Sequence, residues 1–183
     1  MSGAEPPRVR LPSAGQAGSA ERVGAELAAR IVGLLTQRQQ TVAVAESLTG
    51  GLLGAAITAV PGASVVFRGG VIAYATELKA ALLGVPAALL AERGAVDPDV
   101  AGAMAAGVAR RLGATAGVAT TGVAGPDPAE GKPPGTVHIA VCAGGGAVVV
   151  QTLAMSGSRD EIRRGTVERS LRLLWSVLGE ESP

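Results

Sequence analysis

Residues 41–51, read TVAVAESLTGG, join a short apolar run to a turn that contains two glycines. The run at 41–45 has the length and the valine content of a buried strand, and a helix is predicted over 52–60. Ser47 therefore falls between a buried strand and the start of a helix. Backbone amides at a helix N-terminus, together with the positive end of the helix dipole, can hold an anion.

Two interpretations of Ser47 follow from this position. Its hydroxyl could cap the helix by accepting from an amide in the first turn. Alternatively, Ser47 could be a nucleophile, with the amides around Thr49, Gly50 and Gly51 as donors to an oxyanion. The stretch matches neither G-x-S-x-G nor the phosphate-binding loop of nucleotide hydrolases, so no reaction follows from the pattern alone.

Composition excludes several classes of function. The 183 residues carry a net charge of +1 and three aromatic side chains, so we predict no nucleic-acid partner. One cysteine (Cys142) and one histidine (His138) cannot form an internal disulfide and do not suggest a Cys/His metal site. We expect no metal and no other cofactor. Apolar runs are far shorter than the ~20 residues of a membrane span, and no signal-peptide pattern occurs, so we expect a cytoplasmic protein without a membrane partner.

Hydrophobic periodicity predicts one domain over 19–180, preceded by a disordered tail over 1–18 that is rich in Pro, Gly, Ser and Ala. The predicted element order is α-β-α-β-α-α-β-β-β-α. The last two strands, Thr136–Ala143 and Ala147–Ala154, are separated by three glycines (144–146) and must form an antiparallel hairpin. We therefore predict an α/β fold, a three-layer α/β/α sandwich with a mixed, mostly parallel five-stranded sheet.

Polar residues follow each of the first three strands, whose carboxyl ends should share one edge of the sheet. Ser47 follows the first strand, Tyr74 and Lys79 follow the second (predicted at 71–75), and Thr121 with a Gly-rich loop containing Gly122 and Gly125 follows the third. Open α/β sheets bind ligands outside this edge. The edge is therefore the predicted site, although a Gly-rich loop alone could also be a plain turn.

A serine nucleophile needs a base. His138 lies in the middle of a predicted strand, which makes a Ser–His–Asp triad hard to assemble. Lys79 could serve if burial, or a positive neighbour such as Arg159, lowers its pKa. Taken alone, Lys79 could instead be a solvated surface residue and Tyr74 a packing ring. Glu46 is predicted to be structural, orienting the turn, and Cys142 to be a small buried hydrophobe.

Five segments together resemble the C-terminal domain of the CinA family: AESLTGG at 45–51, VPG at 60–62, GGVIAYATELK at 69–79, TGVAGP at 121–126 and GTVHIAV at 135–141. Stand-alone members are nicotinamide-nucleotide amidohydrolases. The resemblance covers about 24–178 and implies hydrolysis of nicotinamide mononucleotide to nicotinic acid mononucleotide and ammonia. The larger family protein also has an N-terminal domain with pyrophosphatase activity, and that activity is not predicted here.

By motif, the family's serine nucleophile falls on Ser47, its tyrosine and lysine on Tyr74 and Lys79, and its threonine on Thr121. Its arginine falls on Arg159. Three positions depart from the common pattern: Leu48 stands in place of a frequent cysteine, Thr76 in place of an asparagine, and Ser158 in place of an acidic residue. The last departure leaves Arg163 open as the alternative to Arg159.

The predicted function is therefore cofactor-independent Ser–Lys amide hydrolysis of a small molecule. Lys79, helped by Tyr74, would deprotonate Ser47, while Arg159 and the loop at 121–125 would hold the phosphate and ribose of the nucleotide. Two alternatives remain: a non-catalytic nucleotide- or partner-binding module of the competence- and damage-associated type, and an amidase for a different pyridine or nucleoside amide. We also expect a homo-oligomer.

Overall fold

The computed structural model describes residues 19–143 and 147–179. The predicted tail at 1–18, the three glycines of the hairpin turn and the last residue of the predicted domain lie outside the described residues. Chain order gives α1 (Ser19–Gln37), β1 (Val42–Glu46), α2 (Leu52–Thr58), a 3-10 turn (Ala63–Val65), β2 (Phe67–Ile72), α3 (Thr76–Leu83), α4 (Ala87–Arg93), α5 (Pro98–Leu112), β3 (Ala116–Gly122), β4 (Thr136–Ala143), β5 (Ala147–Ala154) and α6 (Arg159–Val177).

The five strands form one sheet in the order β2-β1-β3-β4-β5. β1 pairs in parallel with both β2 and β3, whereas β3–β4 and β4–β5 are antiparallel. Four of the five strands therefore point the same way, and only β4 runs against them. This is the predicted mixed sheet, with the carboxyl ends of β1, β2 and β3 on one edge.

Helices cover both faces of the sheet, because the side chains of a strand alternate between faces. In β1, Val42 and Val44 pack into a core with α1, α2 and α6, whereas Ala43 and Ala45 pack against α5 on the opposite face. Small residues let α5 lie close to the sheet: a methyl group on Gly117 would collide with the carbonyl oxygen of Ala105. The predicted three-layer sandwich is confirmed.

Helix α5 begins at an Asp–Pro pair and ends at a glycine, which are the sequence signals typical of the two ends of a helix. The Asp97 side chain accepts from the amide of Asp99 at 2.8 Å, Pro98 is the first helical residue, and Gly113 closes the helix in the left-handed conformation. Local capping chemistry determines these boundaries, which is why the sequence predicts them well.

The second strand differs from its prediction. It covers Phe67–Ile72, not 71–75, and Tyr74 lies beyond it in the turn that leads to α3. β2 is an edge strand, and its ladder with β1 ends where β1 ends, at the pair of Glu46 and Ile72. The two glycines at 69 and 70, which suggested a strand start, lie inside the strand. Gly70 passes so close to Val44 that a side chain there would displace the valine.

Candidate active site

The turn after β1 is held by Glu46, the last residue of that strand. Its carboxyl oxygens accept from the amides of Gly51 at 2.9 Å, Leu53 at 3.1 Å and Gly54 at 2.8 Å. The side chain is buried, with 1% of its surface exposed. The predicted structural role of Glu46 is therefore confirmed, and the anion at the N-terminus of α2 is a carboxyl group of the chain itself.

Ser47 is not the cap of α2. The N-cap position is Gly51, whose φ of 100° belongs to the left-handed region that favours glycine, and no side chain caps the helix there. The capping interpretation of Ser47 is wrong, because four residues separate it from the helix and Glu46 already satisfies the first-turn amides. The Ser47 hydroxyl is left for another partner.

Three predicted substrate contacts in this turn are not brought to the cavity described below. The Gly50 amide donates to the Ser47 carbonyl at 3.1 Å and the Gly51 amide to Glu46. The Thr49 hydroxyl is buried at 2.8 Å from that of Thr120. Within the described chain, the amides of Leu48 and Thr49 donate to no other residue, but of these two residues only Leu48 lines the cavity.

Ser47 and Lys79 form the polar contact at the centre of the site. The Lys79 Nζ atom lies 3.2 Å from Ser47 Oγ, 2.8 Å from the Ala73 carbonyl oxygen and 3.5 Å from that of Tyr74. A neutral amine can donate two N–H groups to these carbonyls and keep its lone pair for the Ser47 hydroxyl. The geometry therefore suits a base that accepts a proton from Ser47.

Burial lowers the pKa of Lys79 from its ordinary value of 10.5, because the charged amine loses hydration. The carboxylates of Glu130 and Glu77 act in the opposite direction and raise it, Glu130 the more strongly. Only 1% of the side chain is exposed, so the alternative of a solvated surface lysine is wrong. Burial, not Arg159, is the cause of the lowered pKa.

Tyr74 and Arg159 meet at the outer side of the site. The Arg159 guanidinium donates to the Tyr74 hydroxyl at 2.9 Å and to the Gly125 carbonyl at 2.7 Å. Within the described chain, no hydrogen bond joins the Tyr74 hydroxyl to Ser47 or Lys79. The hydroxyl of Tyr74, a residue that is 59% exposed, is therefore bonded to Arg159 and not to the Ser–Lys pair.

Arg159 and Arg163 are placed differently, although both belong to the first turns of α6. Ser158 caps this helix together with Glu161, which makes Arg159 the first helical residue and directs it toward the Gly-rich loop. Arg163 points to the nucleophile turn, where it donates to the carbonyls of Leu48 and Thr49, each at 2.9 Å. Arg159 lines the cavity, whereas Arg163 braces the turn that carries Ser47.

Thr121 and Glu130 build the wall opposite Ser47. The Thr121 hydroxyl donates to the Ala95 carbonyl at 2.7 Å. The Glu130 carboxylate accepts from the amides of Ala95, at 3.0 and 2.8 Å, and of Val96, at 3.0 Å. β3 and the loop after it are thereby tied to the segment that precedes α5.

These groups enclose a cavity of about 230 Å³. Of the predicted site residues, the structure brings seven to its lining: Ser47, Tyr74, Lys79, Thr121, Gly122, Gly125 and Arg159. Leu48, Thr76, Asp127 and Glu130 also line it. A serine, a buried amine, a guanidinium and two carboxylates therefore share one small polar pocket.

A larger groove of about 520 Å³ lies between α1, α2 and α6. Its lining is mostly alanine, glycine and leucine, and it contains neither Ser47 nor Lys79. Nucleophilic chemistry needs the Ser–Lys pair, so the smaller polar cavity is the candidate active site.

His138 and Cys142 belong to β4, away from the Ser–Lys pair. His138 Nδ1 lies 2.9 Å from the Thr152 hydroxyl, and burial lowers the pKa of the imidazole. Cys142 is buried, which raises the pKa of its thiol. Across 19–143 and 147–179, no group of three or more His, Cys, Asp or Glu side chains could hold a metal ion. No helix in this part of the chain is long and apolar enough to cross a bilayer.

The family model of the CinA C-terminal domain matches residues 24–178, which include every residue of the cavity lining. The chain belongs to the CinA C-terminal domain family. A CinA-like protein of Frankia casuarinae is 55% identical over 148 residues, which are 81% of this chain and 34% of the relative. A CinA-like protein of Anaeromyxobacter is 49% identical over 150 residues, 81% of this chain and 36% of the relative. The chain thus spans about a third of the length of these relatives.

Solved structures of CinA proteins have the same fold. The competence/damage inducible protein CihA of Agrobacterium tumefaciens superposes with a TM-score of 0.82 at 38% identity, covering 86% of this chain and 96% of that one. A CinA superfamily protein of Klebsiella pneumoniae gives a TM-score of 0.81 at 31% identity, with coverage of 85% and 97%. This CinA domain therefore corresponds to nearly the full length of those chains.

Two pairs of residues that line the candidate active site were not predicted from the sequence. Asp127 and Glu130 are the acidic residues of the Gly-rich loop, and their presence in a loop already assigned to the site was the available signal. Ala95 and Val96 carry no such signal, because they contribute backbone groups whose position depends on the tertiary fold.

Proposed function

We propose that this chain is a Ser–Lys amidohydrolase that converts nicotinamide mononucleotide to nicotinic acid mononucleotide and ammonia. The supporting observation is the buried Lys79 amine, 3.2 Å from Ser47 Oγ in a polar cavity that also contains Arg159. The substrate is the one that the family resemblance implies.

Acylation begins with neutral Lys79. Its lone pair takes the Ser47 proton as Oγ attacks the carbon of the substrate carboxamide. Leu48 lines the cavity and its amide is not bonded within the described chain, so we assign this amide as the candidate donor to the resulting oxyanion. Protonated Lys79 then gives its proton to the leaving nitrogen, the C–N bond breaks, and ammonia departs from an ester on Ser47.

Deacylation reuses the same base. Lys79 removes a proton from a water molecule as the water oxygen attacks the ester carbon. The bond between that carbon and Ser47 Oγ breaks, and Lys79 returns the proton to Oγ. The product is the free carboxylic acid, and both residues regain their starting protonation states.

Substrate binding is assigned to the outer part of the cavity. The Arg159 guanidinium, held by Tyr74 and Gly125, is the candidate partner of the 5′-phosphate, because arginine pairs with phosphate through charge-assisted hydrogen bonds. Tyr74 then serves catalysis through Arg159, without a proton transfer of its own. Gly122 and Gly125 give the ribose close access to the backbone of the loop.

The alternative of a non-catalytic binding module is less well supported by the contacts of Lys79. Burying an amine is unfavourable unless it is neutral or paired. A module that only binds a nucleotide has no use for such an amine against a serine hydroxyl. One structural relative is named for competence and damage, so a partner-binding role is the alternative. The assay below addresses it by asking whether the bound mononucleotide is turned over.

Ammonia release from the purified protein tests the proposal. The substrates are nicotinamide mononucleotide, its riboside, nicotinamide and NAD, each assayed with and without EDTA. We expect ammonia and nicotinic acid mononucleotide from the mononucleotide, undiminished by EDTA, because Lys79 handles each proton transfer.

Ser47→Ala and Thr58→Ala are the matched variants, since Thr58 lies at the far end of α2. Ser47→Ala should release no ammonia above background, whereas Thr58→Ala should match the parent. Turnover by Ser47→Ala, or loss with EDTA that a divalent ion restores, would contradict the mechanism. Binding of the mononucleotide without any turnover would favour the binding module.

A further inference from the structure

The active-site cavity is lined by charged groups of both signs. Arg159, bonded to Tyr74 and Gly125, provides a positive group at the outer side. Glu130 and Asp127, both on the loop between β3 and β4, provide negative groups. Burial disfavours the charged form of the third group, the Lys79 amine, and lowers its pKa. The cavity therefore offers one guanidinium and two carboxylates to a substrate.

The Glu130 carboxylate is held in position by backbone groups alone. Both oxygens accept from the Ala95 amide, and Oε2 also accepts from the Val96 amide. A side chain on Gly94 would collide with this carboxylate, so the 94–96 segment fits closely around it. Across 19–143 and 147–179, no arginine or lysine forms a salt bridge with it. In this part of the chain, the Glu130 carboxylate is therefore held by backbone amides and not by a salt bridge.

Glu130 also belongs to the cavity of the Ser–Lys pair. It lines the same cavity as Ser47 and Lys79, and it is the carboxylate that acts most strongly on the Lys79 amine. A carboxamide placed on Ser47 for attack would bring its aromatic ring into the cavity that Glu130 also lines. The ring of nicotinamide mononucleotide is an N-alkylated pyridinium with a full positive charge, and its phosphate is negative.

We infer that Glu130 is a specificity residue that selects a positively charged pyridinium carboxamide over its uncharged counterpart. This inference rests on the proposed function, and it adds the charge state of the ring to the definition of the substrate. The cavity would then match a zwitterion, with the ring charge toward Glu130 and the phosphate toward Arg159. A neutral dihydropyridine of the same size would fit the space and lose the attraction.

Binding to Ser47→Ala protein tests the inference without turnover. The two probes are nicotinamide mononucleotide and its reduced dihydropyridine form, which differ in ring charge and share the ribose and phosphate. Calorimetry gives the Kd of each. We expect the oxidised form to bind roughly tenfold more tightly, the order expected for one charge pair in a partly solvated pocket.

The matched variants are Glu130→Gln and Glu77→Gln, each in the Ser47→Ala background. Both remove a carboxylate that raises the pKa of Lys79, but only Glu130 lines the cavity. Glu130→Gln should reduce the Kd ratio of the two probes to near one, and Glu77→Gln should leave it unchanged. Equal weakening of both probes by Glu130→Gln would overturn the inference, because it would make Glu130 a loop anchor only.

A result with the Ser47→Ala parent alone is also decisive, should Glu130→Gln fail to fold. Equal affinity of the parent for both probes, or no binding of either, would overturn the inference. The proposed function fails separately: it fails if the wild-type protein releases no ammonia from the mononucleotide. A Kd ratio that collapses in Glu130→Gln would support the charge selection even then.

Discussion

The Lys79 amine lies 3.2 Å from the Ser47 hydroxyl, although the two residues are 32 positions apart in the chain. β1 and β2 pair in parallel, so the turns after these strands lie side by side at one edge of the sheet. α3 starts directly after the second turn and carries Lys79 back toward the end of β2. There the Ala73 carbonyl accepts from the Lys79 amine. The contact is therefore a product of the sheet topology.

Replacing Lys79 by arginine should abolish turnover. Arginine has comparable reach but stays protonated, so it cannot accept the Ser47 proton. We expect kcat to fall by about two to four orders of magnitude, the usual contribution of a positioned base. The chain offers one matched control, Lys132→Arg, because Lys132 is its other lysine and donates to the Arg93 carbonyl on the surface. Substantial activity in Lys79→Arg would show that the base lies elsewhere.

The pH dependence of kcat/KM should follow the neutral form of Lys79. Activity should rise with pH through the pKa of this amine, and the rise should occur below 10.5 because burial lowers that pKa. Glu77 raises the pKa, so Glu77→Gln should lower it and move the rising limb to lower pH. A pH–rate profile of both proteins measures the shift. A limb that moves to higher pH would contradict the assignment of Lys79.

Alanine variants of Arg159 and Arg163 in α6 should affect different steps: the first phosphate binding, the second the position of the turn that carries Ser47. One charge-assisted arginine–phosphate pair contributes about 1.5–3 kcal/mol, so the mononucleotide should be preferred over its riboside by roughly one to two orders of magnitude in kcat/KM. Arg159→Ala should remove most of this preference and leave the slow riboside reaction nearly unchanged.

Arg163→Ala is the comparison for that prediction. Because Arg163 donates to the carbonyls of Leu48 and Thr49, its loss should slow both substrates by a similar factor. A selective loss of the mononucleotide reaction in Arg163→Ala, with Arg159→Ala unaffected, would reverse the two roles.

Replacing Glu46 by alanine should lower the free energy of unfolding more than breaking a surface ion pair does. Its carboxyl group satisfies three amides at the start of α2, one buried and two partly buried, and Glu46→Ala would leave all three without this partner. We expect a loss of about 2–4 kcal/mol in the free energy of unfolding, measured with denaturant. Glu168→Ala, which breaks a half-exposed i,i+4 pair with Arg172, should cost less than about 1 kcal/mol. Equal effects would contradict the assigned role of Glu46.

Local signals explain why much of the fold could be predicted. The Asp97–Pro98 start of α5, the Gly84 end of α3 and the glycines between the last two strands each act within a few residues. The extent of β2 could not be predicted in this way, because it depends on where the neighbouring strand ends. Tyr74 was consequently placed at the end of a strand instead of in a turn.

The same distinction applies to the site. Ser47, Lys79 and Thr121 were predicted because the carboxyl ends of parallel strands share one edge, whereas Arg159 was assigned through the family resemblance. The roles of Glu46 and Glu130 depend on amides that only tertiary structure brings to them; Glu130 accepts from residues 34 and 35 positions earlier in the chain. A helix start rich in glycine suggested an anion site, and the fold fills that site with Glu46.

The most direct test of the central claim is detection of the ester on Ser47. Wild-type protein is mixed rapidly with nicotinamide mononucleotide, quenched in acid, digested and analysed by mass spectrometry, with the ammonia released before quenching measured in parallel. The mechanism predicts that the peptide containing Ser47 gains the mass of the mononucleotide less that of ammonia, and that Ser47→Ala gains none. Ammonia production by wild-type protein with an adduct on another residue, or an adduct that persists in Ser47→Ala, would contradict it.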